Sequence, residues 1–200
     1  RDVADPHLRA VRVDAQEDVL ELLGARQAGL RGDGRVELLA GHRREITALF
    51  CDLRGFTPFA ETAEPEEVLG VLREYHLAVG EAVTAHDGTV EHFAGDGLMA
   101  FFNDPVLSER HELDAVLMAV QTRARFEELA TAWRRRGHEL GLGIGIATGY
   151  ATLGRIGFEG RYDYAAIGIV ANLASRLSDA ARPGEILISQ RVLAGVEDRV

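Results

Sequence analysis

The chain has 200 residues, 46% of them hydrophobic, which suits one domain with a modest appendage and leaves ample material for a core. A net charge of −10 argues against a nucleic-acid surface, which normally shows a basic face, but does not exclude a ligand whose phosphates are met by metal ions and local donors. One cysteine rules out an intrachain disulfide framework, and no run reaches the roughly 18–20 apolar residues of a membrane span.

Residues 1–43 differ from the rest. Leu8, Val11, Ala15, Val19, Leu22 and Leu30 recur at three- and four-residue steps in a charged background. The pattern predicts an amphipathic helix over about residues 14–30, ended by Arg31-Gly32-Asp33-Gly34. We read this stretch as a helical connector from an upstream sensor, ahead of a domain over residues 44–200. The chain begins at Arg1 and carries no secretory signal, so the expectation is a cytoplasmic piece of a longer protein. His42-Arg43-Arg44 reads as a solvated junction.

A buried strand is predicted over residues 45–53, with Cys51 as a small buried hydrophobe. Pro65 followed by Glu66 and Glu67 starts a helix, and Val68, Leu72, Tyr75, Val79 and Val83 mark its apolar face out to about Ala85. His76 and His86 read as surface residues of that helix. After the turn His86-Asp87-Gly88 comes a hairpin, 89–94 with 97–102, around Gly95-Asp96-Gly97. A second long helix covers roughly residues 109–136, anchored in the core or an interface by Trp133 and ended by Gly137. Residues 138–150 form a strand in which Gly141, Gly143 and Gly145 alternate with Leu142, Ile144 and Ile146, a pattern of close backbone approach. Residues 151–166 make a hairpin arm, 170–181 a helix, Pro183-Gly184 a turn and 185–189 a strand. The order predicts an α+β fold: a ferredoxin-like (palm-type) βαββαβ sandwich with an added hairpin arm, an antiparallel sheet and helices on one face.

Two acids stand out. The apolar run Ile46-Thr47-Ala48-Leu49-Phe50-Cys51 ends on Asp52 and breaks into Leu53-Arg54-Gly55-Phe56-Thr57-Pro58, and the hairpin turns on Asp96. A carboxylate at the inner end of an apolar strand must be paired or metal-bound. Two of them beside a glycine-containing loop suggest a magnesium-assisted site for a phosphorylated ligand, with loop N–H groups on the phosphate oxygens.

Phe50-Cys51-Asp52-Leu53-Arg54-Gly55-Phe56-Thr57 resembles the F-x-D-x-x-G-F-T element of class III nucleotidyl cyclases, the adenylate and guanylate cyclase catalytic domain. Gly95-Asp96-Gly97-Leu98-Met99-Ala100-Phe101-Phe102 resembles the second metal loop of that family. Gly143-Ile144-Gly145-Ile146-Ala147-Thr148-Gly149 resembles its central strand. Ala166-Ile167-Gly168 through Asn172-Leu173-Ala174-Ser175-Arg176-Leu177 resembles its catalytic helix. The match runs in register over about residues 44–190. It implies two Mg²⁺ or Mn²⁺ ions held by Asp52, Asp96 and the Leu53 carbonyl, and triphosphate contacts from the N–H groups of Gly55, Phe56 and Thr57. It also implies that Asn172 orients the ribose and Arg176 stabilises charge on the α-phosphate. Family sites are composite, so a head-to-tail homodimer is expected, with a monomer nearly inactive.

The sequence departs from the family at three places. His92 occupies the position of the lysine that reads adenine, and Ala165 that of its hydrogen-bonding partner. Ile169-Val170-Ala171 replaces a run with a polar residue after the glycine. The chain stops at Val200, before the C-terminal strands where the family places a phosphate-binding lysine. The resemblance implies cyclisation of ATP to 3′,5′-cyclic AMP. The alternatives are GTP as substrate, or a degenerate cyclase-like module for dimerisation or nucleotide sensing. A diguanylate cyclase relative is disfavoured by the missing Gly-Gly-Asp/Glu-Glu-Phe signature.

Overall fold

The structure, a computed structural model, describes residues 11–12, 41–158 and 161–197. The helix expected over residues 14–30 lies outside the described residues. Strands β1 (Val11–Arg12), β2 (His42–Arg54), β3 (Thr89–Ala94), β4 (Gly97–Phe102), β5 (Gly141–Phe158), β6 (Arg161–Ile167) and β7 (Ile186–Ile188) form one sheet in the order β1-β7-β5-β2-β4-β3, with β6 paired to β5. The pairings are antiparallel except β5 with β7. The helices are α1 (Phe56–Thr62), α2 (Pro65–Ala85), α3 (His111–Arg135), α4 (Ile169–Ala180) and α5 (Gln190–Val196).

The period of two in β2 divides the core. Leu49, Cys51 and Leu53 face one way, packing with Val71, Tyr75 and Val79 of α2 and with Leu117, Phe126 and Trp133 of α3. Ile46 and Ala48 face the other way, with Met99, Phe101 and Ala147, against Val170, Ala174 and Leu177 of α4. The expectation of helices on one face is therefore corrected. The exposed-looking glycines of β5 hid an apolar surface, because α4 lies directly on their backbone.

A Cβ at Gly145 would strike the backbone of Ala174 and Ser178 and come within 2.7 Å of the Leu177 carbonyl carbon. Gly145→Ala should therefore cost about 3 kcal/mol or more in urea unfolding, since backbone cannot rotate aside as a side chain can. A cost below about 0.5 kcal/mol would contradict this packing.

Two further expectations change. His86 is buried at 1% exposure, its ring nitrogen 2.8 Å from Gln121 Oε1. His42 and Arg44 do not form a solvated junction: His42 donates to Asp104 at 2.7 Å and Arg44 pairs with it at 2.9 Å, while Tyr164 donates to its other oxygen. Asp104 is 1% exposed, and a carboxylate that deep needs such partners. Helices α1 and α5 are short elements that the sequence pattern did not announce. Trp133 is fully buried, with its indole N–H donated to Glu74 at 2.5 Å.

Candidate active site

Cys51 of β2 pairs with Leu98 of β4, which sets Asp52 level with Gly97 at the start of that strand. Asp52 Oδ1 faces Gly97, where a Cβ would lie 3.6 Å away. Asp96, one residue earlier in the turn, brings its carboxyl against that of Asp52. Burial, then the Asp52 charge, pushes Asp96 up to about 6. Protonated Asp96 hydrogen-bonds Asp52, and the backbone N–H of Leu53 donates to the Asp96 carboxylate. The fold thus holds two carboxyl groups face to face, and they become two like charges as pH rises above about 6.

The surroundings fix this pair. The ring of His76 on α2 donates to the Gly95 carbonyl at 3.0 Å and packs on Phe93 with centroids 4.4 Å apart, anchoring the turn that carries Asp96. Arg54 donates to Asp52 Oδ2 at 2.9 Å. Below, the Tyr75 hydroxyl donates to Cys51 Sγ at 3.3 Å, and burial pushes the thiol up to about 12, which leaves it unreactive. Gly55 has φ of 81°, and a Cβ there would press to 3.0 Å from the Glu139 carbonyl. The left-handed turn aims the chain into α1, so Phe56 and Thr57 lie in a first helical turn, where N–H groups have no partner within the helix.

The other expected residues lie on two further stretches. His92 on β3 is exposed, and a bulge separates its register from that of Val90. Ala165 on β6 is 8% exposed and pairs with Gly154. The bulge residue Glu91 joins these stretches, since its carboxylate takes the Ala166 N–H. Its Oε2 is buried without a hydrogen-bond partner, and burial raises its pKa. Asn172 and Arg176 are exposed on the outward side of α4, opposite buried Val170, Ala174 and Leu177.

Sequence reasoning missed Glu91, His76 and the contacts of Arg54. A bulge leaves no mark in a hydrophobic pattern, and His76 looks like any polar residue on a helix flank.

Among the described residues no cluster of three or more His, Cys, Asp or Glu side chains could hold a metal. Two carboxyl groups of which Asp52 stays 38% exposed suit magnesium or manganese, which take few protein ligands and complete their shell from phosphates and water. The raised pKa gives a sign. Asp96 contributes stability fully below the unfolded value near 3.8 and loses it as pH rises through about 6. A cation should relieve that loss. We expect Mn²⁺ to raise Tm by about 2–4 °C at pH 7.5 and by much less at pH 5. Asp96→Asn should melt higher than wild type without metal at pH 7.5 and lose the Mn²⁺ shift; an unchanged shift would remove Asp96 from the site.

Residues 39–198 match the family model described as the adenylate and guanylate cyclase catalytic domain. Adenylate cyclase 1 of Rhizobium meliloti (strain 1021) is 38% identical over 164 residues, covering 80% of this chain and 25% of the relative. The adenylate cyclase of Anabaena cylindrica is 32% identical over 167 residues, covering 82% and 33%. The chain thus spans a quarter to a third of these relatives' length. The crystal structure of the adenylyl cyclase CyaB from P. aeruginosa superposes with a TM-score of 0.77 at 36% identity, covering 80% of this chain and 84% of that one. That of the guanylyl cyclase Cya2 gives 0.77 at 37% identity, covering 81% and 83%.

Proposed function

We propose that this chain, which belongs to the adenylate and guanylate cyclase catalytic domain family, converts ATP to 3′,5′-cyclic AMP and pyrophosphate at sites shared by two copies of the domain. The observation that carries the reading is the facing pair Asp52 and Asp96, whose mutual repulsion a divalent cation would neutralise. Two Mg²⁺ or Mn²⁺ ions, held by these carboxylates and the Leu53 carbonyl, would supply Lewis acidity to the ribose 3′-hydroxyl and the triphosphate. The 3′ oxygen forms a bond to the α-phosphorus, its proton passes to solvent, and the bond to the β-phosphate oxygen breaks. Gly55, Phe56 and Thr57 offer backbone N–H groups to the phosphates. Asn172 orients the ribose, and Arg176 meets the charge growing on the α-phosphate.

Asn172 and Arg176 point outward from the chain that holds Asp52, which supports a homodimer in which each copy completes the other's site. Phe158, Ile167 and Ile169, at 70%, 59% and 84% exposure on the arm and the start of α4, are apolar surface for such a contact. Adenine is favoured by the two adenylate cyclase relatives, while the His92 ring can hydrogen-bond either purine. Equal likeness to the guanylyl cyclase Cya2 supports GTP as the second reading. Ala165 has no hydrogen bond to give, so discrimination should be weak. We expect kcat/KM for ATP to exceed that for GTP by roughly tenfold and by less than about 100-fold. Incubation with each nucleotide plus Mn²⁺, and chromatography of cyclic products, tests both points. No cyclic product from either would favour a regulatory module; a thousandfold preference would show base-reading groups other than these.

We read residues 1–43 as a connector to an upstream sensor and the domain as cytoplasmic. Among the described residues no helix is long and apolar enough to cross a membrane.

A further inference from the structure

Arg54, the last residue of β2, has its guanidinium engaged at both ends. Nη1 donates to Asp52 Oδ2 at 2.9 Å, Nε donates to the Ala181 carbonyl at 3.1 Å, and Nη2 donates to the Ser178 carbonyl. Those two carbonyls lie at the C-terminal end of α4, where the helix dipole favours a cation, and the Ser178 carbonyl also accepts the Ala181 N–H. The guanidinium lies over Gly143 of β5, where a Cβ would come within 2.8 Å of its Cζ. The missing side chain is what lets Arg54 cross the sheet. Only 22% of the arginine side chain is exposed, so it is held by packing as well as by hydrogen bonds.

The contacts divide Asp52 in two. Oδ2 belongs to Arg54, and Oδ1 is left on the side of Gly97 and Asp96. One planar fork therefore sets the orientation of a carboxylate and the end of the helix bearing Asn172 and Arg176. A lysine has the same charge but no such fork, so it cannot serve three acceptors in these directions.

We propose that Arg54 is a positioning residue that joins the two half-sites of one protomer, orienting Asp52 for one composite site while fixing α4 for the other. This rests on the homodimer reading above. In that arrangement Asp52 and Arg176 of the same chain serve different substrates, so Arg54 acts on both sites through different steps. In the chain that donates Asp52 it governs metal binding; in the chain that donates α4 it governs turnover.

A dimer with a single working site separates the two effects. It is built from one chain carrying Arg176→Ala, which donates the metal half, and one carrying Asp52→Ala, which donates α4. Differently tagged copies are purified together. Arg54→Lys is then placed in either chain, and cyclic product is measured against Mn²⁺ concentration. In the metal-donating chain it should raise by about tenfold both the Mn²⁺ needed for half-maximal rate, with the rate largely recovered at saturation, and the Mn²⁺ needed for the half-maximal rise in Tm measured without nucleotide. In the α4-donating chain it should lower the saturated rate by about tenfold and leave the Mn²⁺ requirement unchanged. The same change from both placements, or no change from either, overturns the proposal. Should the single-site dimer itself lack activity while the wild type is active, the composite-site reading fails first. Circular dichroism confirms folding, and Arg54→Gln serves the same test where the lysine variant does not fold.

Discussion

Asp52→Ala should lose at least about 10³-fold of cyclase turnover at saturating Mn²⁺, equivalent to roughly 4 kcal/mol of barrier, while keeping its fold. The size follows from the role assigned to the carboxylate. Without it the remaining acid, Asp96, must hold cations alone at a turn, and the charge of the triphosphate goes unneutralised. The fold should survive because the Asp52 side chain is 38% exposed, and Arg54 keeps its carbonyl acceptors on α4 when the aspartate is gone. Removing one of two like charges also lets Asp96 fall back toward the ordinary carboxylate range, since the Asp52 charge is a leading cause of its rise after burial. Loss of activity with a melting temperature within a few degrees of wild type is the expected pair of results. Turnover within tenfold of wild type would overturn the metal assignment.

Arg176→Ala should cost roughly 3–4 kcal/mol of barrier, the value of one preorganised donor aimed at developing charge. Its more telling use is in combination. Each of the two variants is nearly dead as a homodimer, because both of its sites lack the same half. Random mixing at equal concentration makes half of the dimers hybrids, and each hybrid has one intact site and one doubly defective site. Activity should therefore return to about a quarter of wild type when subunits exchange. That result would establish that Asp52 and Arg176 of different chains serve one substrate. Two inactive variants that remain inactive after demonstrated exchange would place both residues in a single chain's site, against the outward direction of Arg176 on α4.

Much of this arrangement was legible before any coordinates, for reasons specific to each element. The hairpin 89–94 with 97–102 was readable because a Gly-Asp-Gly turn interrupts two apolar runs, and α2 because proline and two acids mark its start. The glycine alternation in β5 signalled close approach but not by what. Only the structure shows α4 seated there and thereby moves a helix to the opposite face of the sheet. The pairing of Asp52 with Asp96 was expected from their strand ends. The shift of Asp96 to about 6 was not, because it depends on burial that the sequence does not display. The partners of Asp104 were invisible for a related reason. His42 and Arg44 precede it by about sixty residues, and a basic run looks solvated until a buried acid is found beside it. Glu91 shows the same limit on β3: a one-residue bulge turns an ordinary strand glutamate into a half-buried carboxyl beside β6.

The most direct measurement is anomalous diffraction at the manganese edge from crystals of this domain grown with Mn²⁺ and a non-cyclisable ATP analogue. Two peaks within coordinating distance of both Asp52 and Asp96, with the nucleotide's α-phosphate turned toward Asn172 and Arg176 of a second copy, are the predicted result. Manganese bound elsewhere with these carboxylates still paired only to each other and to Arg54 would contradict the account.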